Sequence, residues 1–388
     1  MKVLYHHRTK SRDGQFIHID ELQRALQRRG HEVVEVSPTV GEDIPLGAES
    51  AAFSRLAAIP SARREPLEWG YNAISYRALA RAIRRQRPDL IYERYALGNV
   101  AGVLAARRFG IPLFLEMNSP LADERQESGG LTFPRIARRV ESYVTRRADC
   151  VFTVSEVLRA KLLAAGVPAE RVVAAHNEVD PQRFDRSLSS AAAKHRLNLG
   201  QRPVIGFTGF VRGWHRVDRL VEVIAQRPSM LSQAQLLIVG DGDAVPELRV
   251  LAAARGVADR LTITGVVQRA DLARYIAAFD IAIQPGSPAY ASPLKLFEYM
   301  AMEKAIIMPD LPSIREVVRP DVEALLFRHD SDAELAAAVQ ALLENGALRQ
   351  RLGRAAYARL VSQGYTWERN AERIEAQWAA LRSQRHHE

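Results

Sequence analysis

Residues 284–303 read QPGSPAYASPLKLFEYMAME. The stretch leaves an apolar run, Ile281–Gln284, crosses a Pro/Gly/Ser loop and enters a segment with apolar residues at helical spacing. Ser292 and Pro293 stand where a helix N-cap and the first helical residue are expected. Strand, loop and helix in that order make one βα unit, and the same unit recurs on both sides. The expected strands are Val204–Thr208, Leu236–Val239, Leu261–Thr264, Ile281–Gln284, Ala305–Met308 and Ala324–Phe327. The helices between them include Arg216–Gln226, Val245–Arg255, Asp271–Ala278, Leu294–Met302 and Asp332–Glu344. Short apolar runs rich in β-branched residues are the signature of buried parallel strands.

The first half carries the same alternation. Its expected strands are Lys2–His6, Glu32–Val36, Leu90–Glu93, Pro112–Glu116, Cys150–Val154 and Val172–Ala175. A helix over Ile19–Arg29 ends at Gly30, and residues 71–87 and 99–109 also have helical periodicity. The polar, Ala/Ser-rich stretch Ser187–Arg202 reads as a linker. The fold class is therefore α/β: two Rossmann-like domains with parallel sheets, facing each other across a cleft. The expected boundaries are residues 1–190, residues 200–365 and a terminal helix within 366–388 that packs back on the first domain.

A chain of 388 residues, 47% hydrophobic and 26% charged, has the composition of a globular protein, which excludes disordered, collagen-like and disulfide-scaffold classes. Cys150 is alone, so no internal disulfide forms, and a reducing, cytoplasmic setting is expected. No apolar run reaches spanning length, and MKVLYHHRTK turns polar too soon for a signal peptide. The net charge of +9 suits anionic partners or, equally, Arg-rich solvated helix faces.

Four places carry candidate chemistry. At the start of the helix near 293, free amides and Lys295 together suit an anion, and Glu298 follows three residues later on the same face. The alternative there is a Lys–Glu surface pair. After Leu236–Val239 comes GDGDAVPEL, where Gly240 permits a tight turn beside a helix N-terminus; Val245 occupies the place of a dinucleotide fingerprint's third glycine. Gly14, after the first strand, would let backbone approach a phosphate. Glu116 and Asn118 end a strand, where side chains enter the cleft to meet a sugar or to brace a loop. His6, His7 and His18 cluster without the accompaniment a metal site needs. Residues 54–88 mix Arg with Leu, Ile, Trp and Tyr, which suits the inner face of an anionic membrane or a helix with a solvated basic face.

The segments GFTGFVRGWHRVDRLVEVI, LLIVGDGD, SPLKLFEYMAMEKAIIMPDLPSIREVV and, earlier, DGQFIHIDELQRALQRRGHEV and VSEVLRAKLLAAGVPAERVVAAHNEVDPQRF resemble the family-four retaining glycosyltransferases over roughly residues 1–375. The resemblance implies the GT-B fold and a carboxyl-terminal helix that crosses back. It implies that Glu298, matching the second glutamate of Glu-x7-Glu, accepts from the nucleotide ribose, a vicinal diol suited to two acceptor oxygens. Ser292, Pro293 and Leu294 match the stretch holding the donor diphosphate, Gly14 a loop glycine near it, and Val266 and Val267 the segment beside the base.

The departures are specific. Tyr290 stands where the first glutamate belongs, Phe210 and His215 where the family has Arg and Lys, and Asn118 or a neighbour where it has a His. Arg212, His215 and Lys295 are the available substitutes, and Lys295 and Arg212 are expected to compensate at the leaving diphosphate. In Asn177-Glu178-Val179-Asp180, Glu178 replaces a glycine, so a backbone that needs a positive φ must differ there or be strained. The implied function is transfer of a sugar, with retention, from a nucleotide sugar (UDP favoured over GDP) to a glycan, lipid-linked or small-molecule acceptor, with no metal required. A nucleotide-sugar epimerase and a degenerate nucleotide-sugar binder are the alternatives. A nucleic-acid partner is not expected, since aromatic–basic motifs are lacking.

Overall fold

The computed structural model describes residues 1–9, 14–38, 59–226 and 234–387, so parts of the 54–88 segment and of the loop before Gly14 lie outside the described residues. The chain forms two compact units: Met1–His176 with Trp367–Glu388, and Asn177–Thr366.

The first unit holds a parallel sheet of β1 (Lys2–His6), β2 (Glu32–Val36), β3 (Leu90–Arg94), β4 (Leu113–Met117), β5 (Cys150–Thr153) and β6 (Val172–Ala174), in the order β2-β1-β3-β4-β5-β6. Its helices are α1 (Gly14–Arg28), α2 (Ser61–Gln86), α3 (Ala101–Phe109), α4 (Leu121–Glu127), α5 (Pro134–Arg147) and α6 (Glu156–Ala164). Strands β1, β3, β4 and β5 are buried apart from Lys2, as expected of strands covered on both faces. The chain reverses its direction across the sheet between β1 and β3, so the loops after these two strands diverge and leave a crevice.

The second unit repeats the plan. Helix α7 (Ser190–Arg196) precedes β7 (Val204–Thr208); then follow α8 (Asp218–Gln226), β8 (Gln235–Val239), α9 (Val245–Ala254), β9 (Leu261–Ile263), α10 (Leu272–Ile276), β10 (Ile281–Ile283), α11 (Leu294–Ala301), β11 (Ala305–Pro309), α12 (Pro312–Val317), β12 (Ala324–Phe327), α13 (Asp332–Glu344) and α14 (Gly346–Gln363). The sheet order is β12-β11-β10-β7-β8-β9, the doubly wound order with its switch between β7 and β10. Alternate residues of each strand feed two cores. Val204, Leu237 and Ala282 pack with α11 and α14, whereas Ile205, Leu236 and Ile281 pack with α8 and α13.

Two expectations change. Residues 187–202 are not a linker. Ser189 caps α7 by accepting from Ala192 N, Ala193 and Leu199 join the second core, and Lys194 pairs with Asp280 at 2.6 Å. The passage between units falls instead at His176–Asn177, where composition gives no sign of it. The second passage falls at Thr366–Trp367, and the C-terminal helix Trp367–His387 rejoins the first unit. There Trp367 is fully buried, its ring 4.8 Å from His18. Arg29 grips Glu375 at 2.7 and 2.8 Å, and His31 reaches the same carboxylate at 2.6 Å. The hydrogen bonds from Arg29, helped by His31, hold the Glu375 carboxyl down at about 2.

Candidate functional site

In the second unit the loops after β7, β8 and β10 meet at the switch point. Gly240 adopts φ +147°, and a Cβ there would stand 2.1 Å from the Gly209 carbonyl oxygen. The glycine is thus required for one loop to nest on the next. The third loop joins by the same device, since a Cβ on Gly286 would stand 2.5 Å from the Trp214 carbonyl oxygen. Helix α11 is tied to this floor by Tyr299, whose hydroxyl accepts from Thr208 N at 2.9 Å.

Pro293, not Ser292, is the N-cap of α11 and supplies no side-chain bond to the first turn. Ser292 turns away because its hydroxyl accepts from Asn177 N at 3.1 Å, while its carbonyl accepts from Asn177 Nδ2. Leu294 opens the helix and is half-buried, as is Tyr290 before it.

Lys295 and Glu298 are no surface pair: they are 8% and 5% exposed. Lys295 Nζ lies 3.1 Å from His215 Nε2 and 4.1 Å from the centre of the Phe207 ring. Burial lowers its pKa to about 7, against a smaller opposing pull from Glu298. His215 Nδ1 accepts from Arg212 N at 3.2 Å, so in the neutral imidazole Nε2 carries the proton and faces Lys295. Two donors meeting there favour the neutral amine. Burial, then the charges of Lys295 and Arg212, push the His215 pKa far down despite the Phe210 carbonyl. His215 is therefore a neutral ring, which leaves Lys295 and Arg212 as the cations of the available substitutes. Arg212 is half-buried, with Asp243 3.6 Å away. Half-exposed Trp214 covers His215 at 3.6 Å between rings.

Glu298 pairs with Arg269, which the sequence reading did not single out. Val266 is exposed and Val267 packs on the core, two positions before that arginine. Glu178 is buried without a positive φ, so of the two expected outcomes the backbone differs and is not strained.

In the first unit Glu116 is a buried hub. Tyr5 donates to it at 3.2 Å, His18 at 3.0 Å and Asn118 at 2.5 Å, and Arg94 also pairs with it. Burial alone would raise its pKa, but His18 and Arg94 outweigh that and lower it. A carboxylate so engaged orients Asn118, which is half-buried and better placed than Glu116 to meet a ligand. His6 pairs with Glu93 at 2.5 Å and His7 with Glu35 at 3.1 Å, so each histidine of the cluster has its own carboxylate. Among the described residues no three such side chains form a metal-holding group. Gly14 opens α1 with nothing within 4 Å of where a Cβ would stand.

The Glycosyltransferase Family 4 profile matches residues 12–183, and the Glycosyl transferases group 1 profile matches residues 202–345. The chain belongs to the family-4 glycosyltransferases. It is 26% identical over 388 residues to D-inositol 3-phosphate glycosyltransferase of Geodermatophilus obscurus, covering 95% of this chain and 84% of that one. It is 26% identical to alpha-D-kanosaminyltransferase of Streptomyces kanamyceticus, over 64% of this chain and 66% of that one. Sucrose-phosphate synthase from Thermosynechococcus elongatus shares its GT-B fold with TM-score 0.80, 22% identity, and coverage of 99% and 100%. HepE of Anabaena, solved with UDP and glucose, has TM-score 0.76, 18% identity, and coverage of 98% and 100%. As a family-4 glycosyltransferase the chain is a sugar-transferring enzyme.

Proposed function

We propose that this glycosyltransferase takes its sugar from a nucleotide sugar, UDP-linked by preference, and passes it with retention to a hydroxyl of a glycan, lipid-linked or small-molecule acceptor. The observation that carries the reading is that α11 places a buried lysine amine and, one turn further on, a buried carboxylate at the switch point of the second sheet. Lys295, with Arg212 nearby, answers the charge that develops on a departing diphosphate. Glu298 answers the ribose diol. Tyr290 stands for the missing sugar-contacting carboxylate and offers a hydroxyl in its stead. Asn118, held by Glu116, offers an amide to the sugar or the acceptor. Gly14 leaves room at the start of α1 for a phosphate. HepE, solved with UDP and with UDP-glucose, supports a nucleotide-sugar donor, and the 26% identical GDP-mannose-dependent alpha-mannosyltransferase of Mycobacterium tuberculosis keeps GDP-mannose in the test. No metal is required in this scheme, since cations and amides neutralise the diphosphate.

Helix α2 supports contact of the enzyme with an anionic membrane. Arg63, Leu67, Gly70, Ile74, Arg77, Arg81 and Arg84 recur at helical spacing and are all exposed, with Leu67 and Ile74 each 55% so. No helix among the described residues is long and apolar enough to cross a membrane.

The test is incubation of the enzyme with radiolabelled UDP-sugars and GDP-mannose against a panel of acceptors, followed by NMR of the product. Formation of an α-linked product from an α-linked donor supports the reading. Isomerised donor without transfer would identify an epimerase, and binding without turnover a degenerate enzyme.

A further inference from the structure

Arg269 opens a short 3₁₀ turn, Arg269–Asp271, separated from Val266 and Val267 only by Gln268. Its Nη1 donates to Glu298 Oε1, and its guanidinium carbon stands 5.5 Å from the centre of the buried Phe184 ring. The side chains of Arg269 and Glu298 are only 15% and 6% exposed. A carboxylate so far from water needs a cation or several donors to remain ionised. The other cation within reach is Lys295, one turn earlier on α11, and it is engaged by His215 and the Phe207 ring instead. Arg269 therefore balances the Glu298 carboxylate. A carboxylate has about four lone-pair sites on two oxygens. Arg269 takes Oε1, and among the described residues none donates to Oε2.

We infer that Arg269 is a positioning residue for the sugar donor, fixing Glu298 so that Oε2 meets the ribose hydroxyls. This rests on the nucleotide-sugar reading above. The guanidinium need not touch the nucleotide. Its effect is transmitted through one carboxylate, so it depends on the ribose hydroxyls being present.

The experiment compares UDP with 2′,3′-dideoxyuridine diphosphate by calorimetry in the full-length wild type, Arg269→Gln, Arg269→Lys and Glu298→Gln. The ratio of the two affinities within each protein is the readout, because loss of folded protein leaves that ratio unchanged. Charge-assisted hydrogen bonds of this kind set the expected effect at roughly tenfold or more. UDP binds wild type better than the dideoxy analogue, and Arg269→Gln weakens UDP about tenfold while leaving the analogue unchanged. Glu298→Gln collapses the ratio likewise, and Arg269→Lys restores part of it. Equal weakening of both ligands by Arg269→Gln, or no change in either, would overturn the role of Arg269 while the nucleotide reading stood. Failure of the wild type to bind either ligand would overturn both.

Discussion

Binding of the donor diphosphate should draw a proton onto Lys295. In the free enzyme burial brings this lysine from an ordinary 10.5 to about 7, and the Nε2 hydrogen of neutral His215 faces its nitrogen. The charges around it are Arg212 on the β7 loop, Glu298 on its own helix and, beyond Glu298, Arg269. A diphosphate against Nζ favours the ammonium and returns its pKa toward the ordinary value. At pH 8 the free lysine then holds about 0.1 proton and the bound one nearly 1, so each binding event takes up about 0.9 proton. Near pH 6 the uptake falls to about 0.1, because the free lysine is already charged. The sign follows: affinity is greatest at low pH and is lost as pH rises through 7, by up to about tenfold per unit. The terminal phosphate of UDP titrates near 6 and contributes little at pH 8. The assay is titration calorimetry with UDP at pH 8 in Hepes and in Tris, whose ionisation enthalpies differ. Lys295→Met should abolish the uptake and weaken binding. The same variant should be more stable when free, by on the order of a few kcal/mol at neutral pH, because the buried ammonium's cost is gone. Uptake near zero in the wild type at pH 8, or undiminished uptake in Lys295→Met, would refute the reasoning.

Further outcomes follow from the same geometry. Gly240→Ala should cost most of the transfer activity, because its Cβ would overlap the Gly209 carbonyl and unseat the β7 loop that carries His215; activity near wild type would contradict the nesting. Glu116→Ala should destabilise the protein by about 3–5 kcal/mol, since Arg94 and His18 would be left buried and unpaired, as urea denaturation would measure. Because the Glu116 pKa is lowered on folding, its contribution is present above the ordinary carboxylate range and is lost as pH falls below it. Replacing Leu67 and Ile74 by Ser should abolish flotation with anionic vesicles at low salt; absence of flotation in the wild type would count against the membrane face.

Strand positions were legible because buried parallel strands are short apolar runs: β1, β2, β7 and β12 fall at the expected residues. Helix ends were less so. The helix expected to begin at residue 71 starts at Ser61, where Glu65 and Glu68 are buried charges that break the apolar stripe. Glu65 accepts from Phe133 N at 3.1 Å and Glu68 from Arg125 at 2.7 Å, partners more than fifty residues away. The linker was misread for the converse reason, since Ala193 and Leu199 find their core only in the folded unit. At the site, Lys295 and Glu298 were visible through their place at a helix start. Arg269 was not, because one arginine among many gives no signal until the chain brings it to Glu298. The neutrality of His215 was equally invisible, as it depends on burial and on the Arg212 amide.

The most direct test of the account is calorimetric titration of UDP and GDP into the wild type and Glu298→Ala. The account predicts that UDP binds the wild type more tightly than GDP and that Glu298→Ala loses most of this affinity. Absence of binding by both nucleotides, or unchanged UDP affinity in Glu298→Ala, would contradict the claim that α11 of the second unit holds the donor nucleotide.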